Sequence, residues 1–256
     1  MSSLLFAFTL SFLAGLASAV GGLLSFFIKK ENLSALAVGL GFSAGVMIYV
    51  SFMELLPYAQ NALTLLYGSS CGPWLTVALF FVGIGVAWGV DRCLPPLHVK
   101  EESLKQTAKL KQTGLFTAVA LALHNFPEGL ATFFSALDSV TLGFSIALAV
   151  AIHNIPEGIA VALPVYHSTG SRQKAFWASA ASGMAEPVGA VAGYFLLHAV
   201  LHEALLGVLF AGVAGIMVYL ALDELLPTAH DYGHGHQVIS GVIGGMALMA
   251  VVLLVF

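Results

Sequence analysis

The residues of this chain that could bind a metal ion are concentrated in one short sequence that occurs twice. It reads HNFPEG at residues 124–129 and HNIPEG at residues 153–158, an offset of 29 residues. Residues four apart lie on one face of a helix, so each copy places its histidine above its glutamate. Each proline lacks an amide hydrogen and is expected to kink its helix. Two kinked helices that both present imidazole, amide and carboxylate groups predict a site for a divalent cation.

The composition predicts that these polar residues lie inside a membrane protein. Of the 256 residues, 59% are hydrophobic and 9% are charged, whereas soluble domains contain about 25% charged residues. A span needs about 20 apolar residues, so the chain has room for about eight spans and short loops. The net charge of −4, without a basic patch, argues against nucleic acid as a partner. Lys29 and Lys30 follow the first apolar segment, which argues against a cleaved secretory signal.

Turn and charge signals divide the chain into eight predicted spans within a single transmembrane domain, residues 1–256. The spans cover residues 3–28, 33–59, 73–92, 113–135, 140–166, 174–197, 204–228 and 236–256. All nine Lys and Arg residues lie in or beside odd-numbered loops, including loop 93–112. By the positive-inside rule those loops face the cytoplasm, so both termini are predicted to face outward.

A second repeat relates spans two and seven. AGVMIYVSFMELLPYA at 44–59 and AGIMVYLALDELLPTA at 214–229 are identical at nine of sixteen positions. The two copies lie five spans apart, so they cross the membrane in opposite directions, as spans four and five also do. Both repeats fit one two-fold axis in the membrane plane, which gives a 3+2+3 arrangement of helices. Inverted repeats of this kind are typical of transporters with a site at the mid-plane.

Three glutamates lie deep within predicted spans, where an ionisable group costs about 2.5–3.5 kcal/mol or more. They are Glu128, Glu157 and Glu186, and no Lys or Arg lies among them. A bound divalent cation would neutralise them, as would protons when the site is empty. Together with the two histidines and two asparagines, they form the predicted metal ligand set: His124, Asn125, Glu128, His153, Asn154, Glu157 and Glu186.

This set of donors favours zinc and its first-row neighbours. Imidazole suits these ions better than calcium or magnesium, and neither motif contains the Cys or Met that would favour copper(I). Mixed carboxylate and amide oxygens leave little discrimination among zinc, iron(II), manganese, cobalt and cadmium. Seven donors exceed the four that a tetrahedral zinc takes, so two cations bridged by Glu128 and Glu157 are a hypothesis. No catalytic cofactor is expected.

Residues near the ends of spans two and seven are candidates for the entrance and exit of a cation pathway. Glu54 would attract cations at the outer mouth, and Asp223 and Glu224 at the inner mouth. All three could instead reach the lipid headgroups. The HDYGHGH loop that follows adds candidate cytoplasmic metal acceptors, which are His230, His234 and His236. A solvated turn would have the same composition.

HNFPEG and HNIPEG in consecutive spans, followed by AEP in the next, resemble the ZIP (Zrt/Irt-like) metal transporters, most closely a bacterial branch of zinc transporters. The resemblance covers the whole chain. It implies uptake of divalent transition metals across the cytoplasmic membrane of a bacterium, with the seven predicted residues as ligands. It also implies that spans one, four, five and six move against the other four, often in a homodimer within the lipid bilayer. One departure is that loop 93–112 holds a single histidine, His98, where many relatives have a His-rich run.

Several functions remain open on the sequence alone. The repeats favour a carrier that imports metal ions by alternating access, but a metal-selective channel would use the same site. An intramembrane metal-dependent hydrolase would also place His and Glu four residues apart. In HExxH helices, however, both ligands are histidines of one helix, and here each helix has one, so we expect no enzyme. Hydrogen bonding between proline-kinked helices is the simplest alternative, although it does not require carboxylates.

Overall fold

The computed structural model describes residues 3–29, 31–93, 102–196 and 202–255, and the regular elements in these ranges are all helical. The α-helices, in chain order, are α1 (Ser3–Leu24), α2 (Leu33–Val50), α3 (Leu56–Cys93), α4 (Glu102–Asp138), α5 (Val140–Thr169), α6 (Arg172–Gly183), α7 (Ala185–Leu196), α8 (His202–Tyr219), α9 (Leu226–Tyr232) and α10 (Gly235–Val255). A short 3-10 helix, Ser25–Phe27, follows α1. Two π-helical turns join α2 to α3 at Ser51–Leu55 and α8 to α9 at Leu220–Leu225.

Within the described ranges, five helical segments are long and apolar enough to cross a membrane. They are Ser3–Phe27, Leu33–Cys93, Gly143–Thr169, Leu205–Tyr232 and Gly235–Val255. The second has 61 residues, or about 90 Å if straight, against ~30 Å of hydrocarbon. It turns back at Gly68, where φ is 82°, and Gly72 then packs against the backbone of Thr64. These segments confirm an all-helical, multi-pass membrane protein.

Several helices differ in extent from the predicted spans. The helix predicted to end at residue 59 continues to Gly68, because Pro57 is accommodated just after a π-turn and does not stop the helix. Helix α4 begins at Glu102, inside the predicted loop 93–112, since ESLKQTAKLKQT is rich in residues that favour helix. His98, which we noted in that loop, lies outside the described residues. The predicted sixth span consists of two helices, α6 and α7, separated at Met184.

The second sequence repeat adopts the same irregular conformation in both copies. The amide of Leu56 donates to the carbonyl of Ser51, and the amide of Leu226 donates to that of Ala221, five residues earlier in each copy. Each π-turn is followed by a proline, which has no amide hydrogen for a regular α-helical bond. π-helical turns are rare and frequently occur at functional sites. The shared turn supports a structural as well as a sequence repeat.

The helices form two groups by their contacts. Helices α1, α4, α5, α6 and α7 pack against one another, and α2, α3, α8, α9 and α10 form the second group. In the second group the most extensive contacts are those of α3 with α8 and of α2 with α10. The two groups meet mainly where α2 contacts α5 and α8 contacts α4. Both copies of HNxPEG are therefore in the first group, and both π-turns are in the second.

Candidate metal site

The two HNxPEG motifs lie where α4 contacts α5, and both helices continue through Pro127 and Pro156. The seven predicted ligands are all at most 2% exposed. Four of them form a continuous chain of contacts, which are His124, Glu128, His153 and Glu157. The positions of the other three depend on helices α1, α6 and α7. The structure thus brings residues from three predicted spans to one buried location.

The imidazoles and two of the carboxylates alternate. Nε2 of His153 lies 2.8 Å from Oε1 of Glu128, and Nε2 of His124 lies 3.1 Å from the same oxygen. Nε2 of His124 also lies 3.0 Å from Oε1 of Glu157. One ligand atom from each of His124, Glu128 and His153 lies within 4.8 Å of the others. Ligands of one zinc ion are about 2 Å from the metal and so within ~4 Å of each other. The spacing therefore suits a shared ion after a small contraction.

The two asparagines are anchored through their amide nitrogens. Nδ2 of Asn154 donates to Oε1 of Glu186 and, at 3.0 Å, to the carbonyl oxygen of Ala14 in α1. Nδ2 of Asn125 donates to the carbonyl oxygen of Ser182 in α6 at 3.2 Å. The Oδ1 atoms of both asparagines are buried and have no hydrogen-bond partner. These anchors leave the amide oxygens, which are the atoms that ligate metals, available.

Glu186 reaches the site because the predicted sixth span is broken. The break at Met184 places Glu186 in the first turn of α7, where the helix dipole favours a carboxylate. A Cβ atom on Gly129 would collide with the backbone of Glu186, so the motif glycine permits α4 and α7 to approach closely. Glu186 consequently interacts electrostatically with Glu128 and Glu157.

Many polar atoms of the site are buried without a hydrogen-bond partner. They are Nδ1 of His124, Oδ1 of Asn125, Oε2 of Glu128, Nδ1 of His153, Oδ1 of Asn154, Oε2 of Glu157 and Oε2 of Glu186. Leaving such an atom unpaired costs about 1–3 kcal/mol, and native structures contain few of them. Imidazole, amide oxygen and carboxylate are all metal ligands. A divalent cation would satisfy these atoms together.

A cavity of about 90 Å³ joins Glu54 to the site. It is bordered by Glu54 and Tyr58 on one side and by Glu128, Ser135 and His153 on the other. Oε2 of Glu54 is buried without a hydrogen-bond partner. We expected Glu54 near the end of its span, but the helix continues for 13 residues beyond it to residue 67, about 20 Å. Glu54 therefore lies nearer the metal site than its sequence position indicated.

The equivalent residues of the other repeat lie away from the seven ligands. Glu224 is half-buried, and its carboxylate interacts with the hydroxyl of Thr113 in α4. Asp223 is exposed and interacts with Tyr219. The hydroxyls of Thr113 and Thr228 are 3.3 Å apart. In this conformation α4 packs against the region of Glu224, whereas a cavity lies beside Glu54.

The three histidines of the HDYGHGH loop are exposed and do not join the metal site. Nδ1 of His230 lies 2.8 Å from the carbonyl oxygen of Leu226. His234 borders a cavity of about 580 Å³ that Glu31 and Asp231 also line. Among the residues that the structure describes, the one group of at least three His, Cys, Asp or Glu side chains with metal-ligand spacing is that of His124.

Sequence reasoning missed several residues around the site. The hydroxyl of Thr113 and the ion pair between Lys109 and Asp231 connect α4 to the second helix group. Ser135 and Tyr58 border the cavity at Glu54. Thr113 and Ser135 could have been found from their spacing relative to Glu128, which places them on the same side of α4. No sequence signal indicated the ion pair, whose residues are 122 positions apart.

Fold and site together define a multi-pass membrane protein with a buried His, Asn and Glu cluster suited to a divalent cation. Residues 95–253 match the family profile described as ZIP zinc transporter. A zinc transporter ZupT of Chlorobaculum parvum is 53% identical over 99% of this chain and 98% of its own length. Zinc transporters ZupT of Streptococcus mutans and Clostridium perfringens are 51% and 48% identical, over 100% of this chain and 100% and 98% of their own lengths. The chain belongs to the ZIP family.

Membership confirms the resemblance seen in HNFPEG, HNIPEG and AEP. ZIP proteins are transporters, so the comparisons assign the chain to a transporter family and not to an enzyme family. They give no support to the hydrolase or channel alternatives. The high identity extends over both helix groups, since the relatives match almost the entire chain.

Proposed function

We propose that this protein carries zinc, and with less discrimination iron(II), manganese, cobalt and cadmium, across the cytoplasmic membrane of a bacterium into the cytoplasm. The observation that carries the proposal is the buried chain of His153, Glu128, His124 and Glu157, whose remaining polar atoms lack partners. The relatives named as zinc transporters support zinc as the main substrate. The seven predicted ligands are His124, Asn125, Glu128, His153, Asn154, Glu157 and Glu186.

We also propose eight membrane crossings in the 3+2+3 inverted arrangement, in one domain of residues 1–256 with both termini outside. The reversal at Gly68 makes two crossings of the longest apolar segment, and α4 and the α6–α7 pair supply two more. The matching π-turns support the inverted repeat. The orientation depends on the Lys and Arg residues of the odd-numbered loops.

The division into two helix groups supports an alternating-access carrier. The group of α1, α4, α5, α6 and α7 corresponds to the spans that the ZIP resemblance implies to be mobile, and it contains all seven ligands. The second group contains Glu54 and Glu224 on its two π-turns. Movement of the first group against the second would transfer a bound ion from the side of Glu54 to the side of Glu224. A homodimer remains part of the proposal.

We propose that Glu128 and Glu157 share two cations. Oε1 of Glu128 contacts both imidazoles, while Oε2 of Glu157 and Oε2 of Glu186 lack hydrogen-bond partners. Two divalent ions carry four positive charges and three carboxylates carry three negative ones, which leaves one positive charge. Protons that leave the carboxylates as the ions enter would offset most of the added charge. Metal titration of the purified protein should give two zinc ions per chain, and saturation at one ion would contradict this part of the proposal.

The principal test is zinc uptake into proteoliposomes that contain the purified protein. Wild-type protein should show saturable uptake, and Glu157→Ala should abolish it because His124 loses its second carboxylate and the site loses charge. Glu31→Gln, at an exposed acid in loop 29–32, is the matched control and should transport normally. Uptake by Glu157→Ala at the wild-type rate would refute the assigned role.

A further inference from the structure

One face of α4 carries polar side chains through the full depth of the predicted membrane. At 100° per residue, Thr113, Thr117, His124, Glu128 and Ser135 fall within about 60° of one another. The first and the last are 22 positions apart, or about 33 Å along the helix, which is close to the ~30 Å hydrocarbon thickness. Four are buried and Ser135 is half-buried, so this polar face of α4 points into the protein.

Helix α5 does not repeat this face, although it repeats the motif. At the offset of 29 residues, the positions equivalent to Thr113, Thr117 and Ser135 are Leu142, Ile146 and Pro164. The HNxPEG repeat thus duplicates the ligands, while the flanking hydroxyls belong to α4 alone. Symmetry of the ligand site does not require these hydroxyls, so they need a separate explanation.

Thr117 is the most unusual of them. Its side chain is fully buried, and its hydroxyl has no hydrogen-bond partner. A helical hydroxyl can usually donate to the carbonyl four residues earlier, as Ser43, Ser51 and Thr76 do in this chain. Thr117 does not use this bond, at a cost of about 1–3 kcal/mol for a buried polar group. It lies two helical turns from His124, on the side of Thr113 and Glu224.

Beyond Thr117 the polar face ends in contacts with the second helix group. The hydroxyl of Thr113 interacts with the Glu224 carboxylate and lies 3.3 Å from the hydroxyl of Thr228. Between Thr117 and His124 the face is interrupted, and the residues nearest to it are the buried apolar Ala120 and Leu121, of which Leu121 has the larger side chain. The inner half of α4 therefore offers oxygen atoms from just below the metal site to the Glu224 carboxylate, with one apolar gap.

We propose that the hydroxyls of Thr117 and Thr113 line the inner half of the cation route, and that Leu121 is its barrier in this conformation. The inference rests on the proposed function. A divalent ion that leaves the His and Glu ligands will keep part of its hydration shell, and a hydroxyl can both accept from and donate to those waters. Because hydroxyls are neutral, they stabilise the passing ion without creating a second tight site. The Glu224 carboxylate is then the next charged group that the ion meets.

The test compares hydroxyl removal at two buried positions of α4. Thr117→Val removes the hydroxyl at nearly constant volume and should lower the initial rate of zinc uptake roughly five- to tenfold, the loss of about one hydrogen bond. Zinc affinity and stoichiometry measured in detergent should not change. Thr117→Ser should restore the rate. Thr132→Val is the matched control, because Thr132 is also buried and without a hydrogen-bond partner, but lies off the polar face.

The outcomes separate this inference from the proposed function. If the wild-type protein itself transports no zinc, the proposed function fails. If the wild type transports and Thr117→Val transports equally fast, the role of Thr117 is refuted while the proposed function stands. Leu121→Ala provides a second measurement that does not depend on Thr117. A smaller barrier should raise uptake several-fold with unchanged zinc binding, and an equal or slower rate would refute the barrier.

Discussion

Helices α4 and α5 carry the same motif but differ in what surrounds it. Each supplies one imidazole, one amide and one carboxylate to the site, and each crosses the site in the opposite direction to the other under the proposed topology. Of the two, α4 continues as a polar face on both sides of its ligands. They also meet the second helix group differently, α4 through Lys109 and Thr113, and α5 through the carbonyl oxygen of Pro156, which accepts a hydrogen bond from Ser43 in α2. Under the proposed function, the repeat would account for the binding of an ion, and the asymmetry between the two helices would account for its direction of release.

The same difference appears within the ligand cluster. Oε1 of Glu128 contacts both His124 and His153, whereas Glu157 contacts His124 alone. The α4 carboxylate is therefore at the centre of the cluster and the α5 carboxylate is at its edge. Two residues that are equivalent in sequence are not equivalent in the structure.

The largest expected effect comes from neutralising these two carboxylates separately. Glu128→Gln should lower zinc affinity about tenfold more than Glu157→Gln, since it removes charge that both imidazoles contact; tenfold corresponds to about 1.4 kcal/mol. Calorimetric titration of both variants in detergent measures the difference. Equal losses would mean that the bound ion sits symmetrically between α4 and α5, despite the asymmetry of the contacts.

The sequence was sufficient for the helical class and for the expectation that these His, Asn and Glu residues lie together in a buried cluster, because both depend on local patterns. HNxPEG indicates ligands through its residue types and their four-residue spacing, and apolar composition indicates spans. The helix that contains the second predicted span continues beyond residue 59, because a π-turn accommodates Pro57. No sequence pattern indicated this turn, so the position of Glu54 relative to the site was not predicted either. Thr117 attracted no notice, because its importance depends on burial and on a missing hydrogen bond.

A second comparison is between alanine substitutions at the two motif glycines, for which we expect a change in zinc affinity of intermediate size. A Cβ on Gly129 would collide with the backbone of Glu186, and a Cβ on Gly158 would collide with the backbone of Ser18 in α1. Alanine at either position should lower thermal stability in detergent, because overpacking typically costs about 1–3 kcal/mol. Gly129→Ala should also weaken zinc binding more than Gly158→Ala does, since it displaces a ligand-bearing helix.

Both substitutions change helix propensity equally, so a difference in zinc affinity between them reports on the neighbouring helix. Titration and thermal unfolding on the same preparations separate the two effects. If Gly158→Ala weakened binding as much as Gly129→Ala, the position of Glu186 would not depend on the contact between α4 and α7 that we describe.

The smallest effect is expected at the surface end of α4, where Lys109 and Asp231 form an ion pair between the two helix groups. Both side chains are about half exposed, and such pairs contribute about 0–1 kcal/mol. Lys109→Asp should therefore change the zinc uptake rate by less than about fivefold, through a less stable closed inner side. Salt should reduce the difference in uptake rate between the variant and the wild type, because it screens exposed charges.

The double charge reversal, Lys109→Asp with Asp231→Lys, should restore the wild-type rate if the pair acts by holding α4 against α9. A double variant that is slower than either single one would show that the two charges act separately, for example by attracting cations to the inner mouth. The polar ties between the helix groups would then be those of Thr113 and of Ser43, which donates to the carbonyl oxygen of Pro156 in α5.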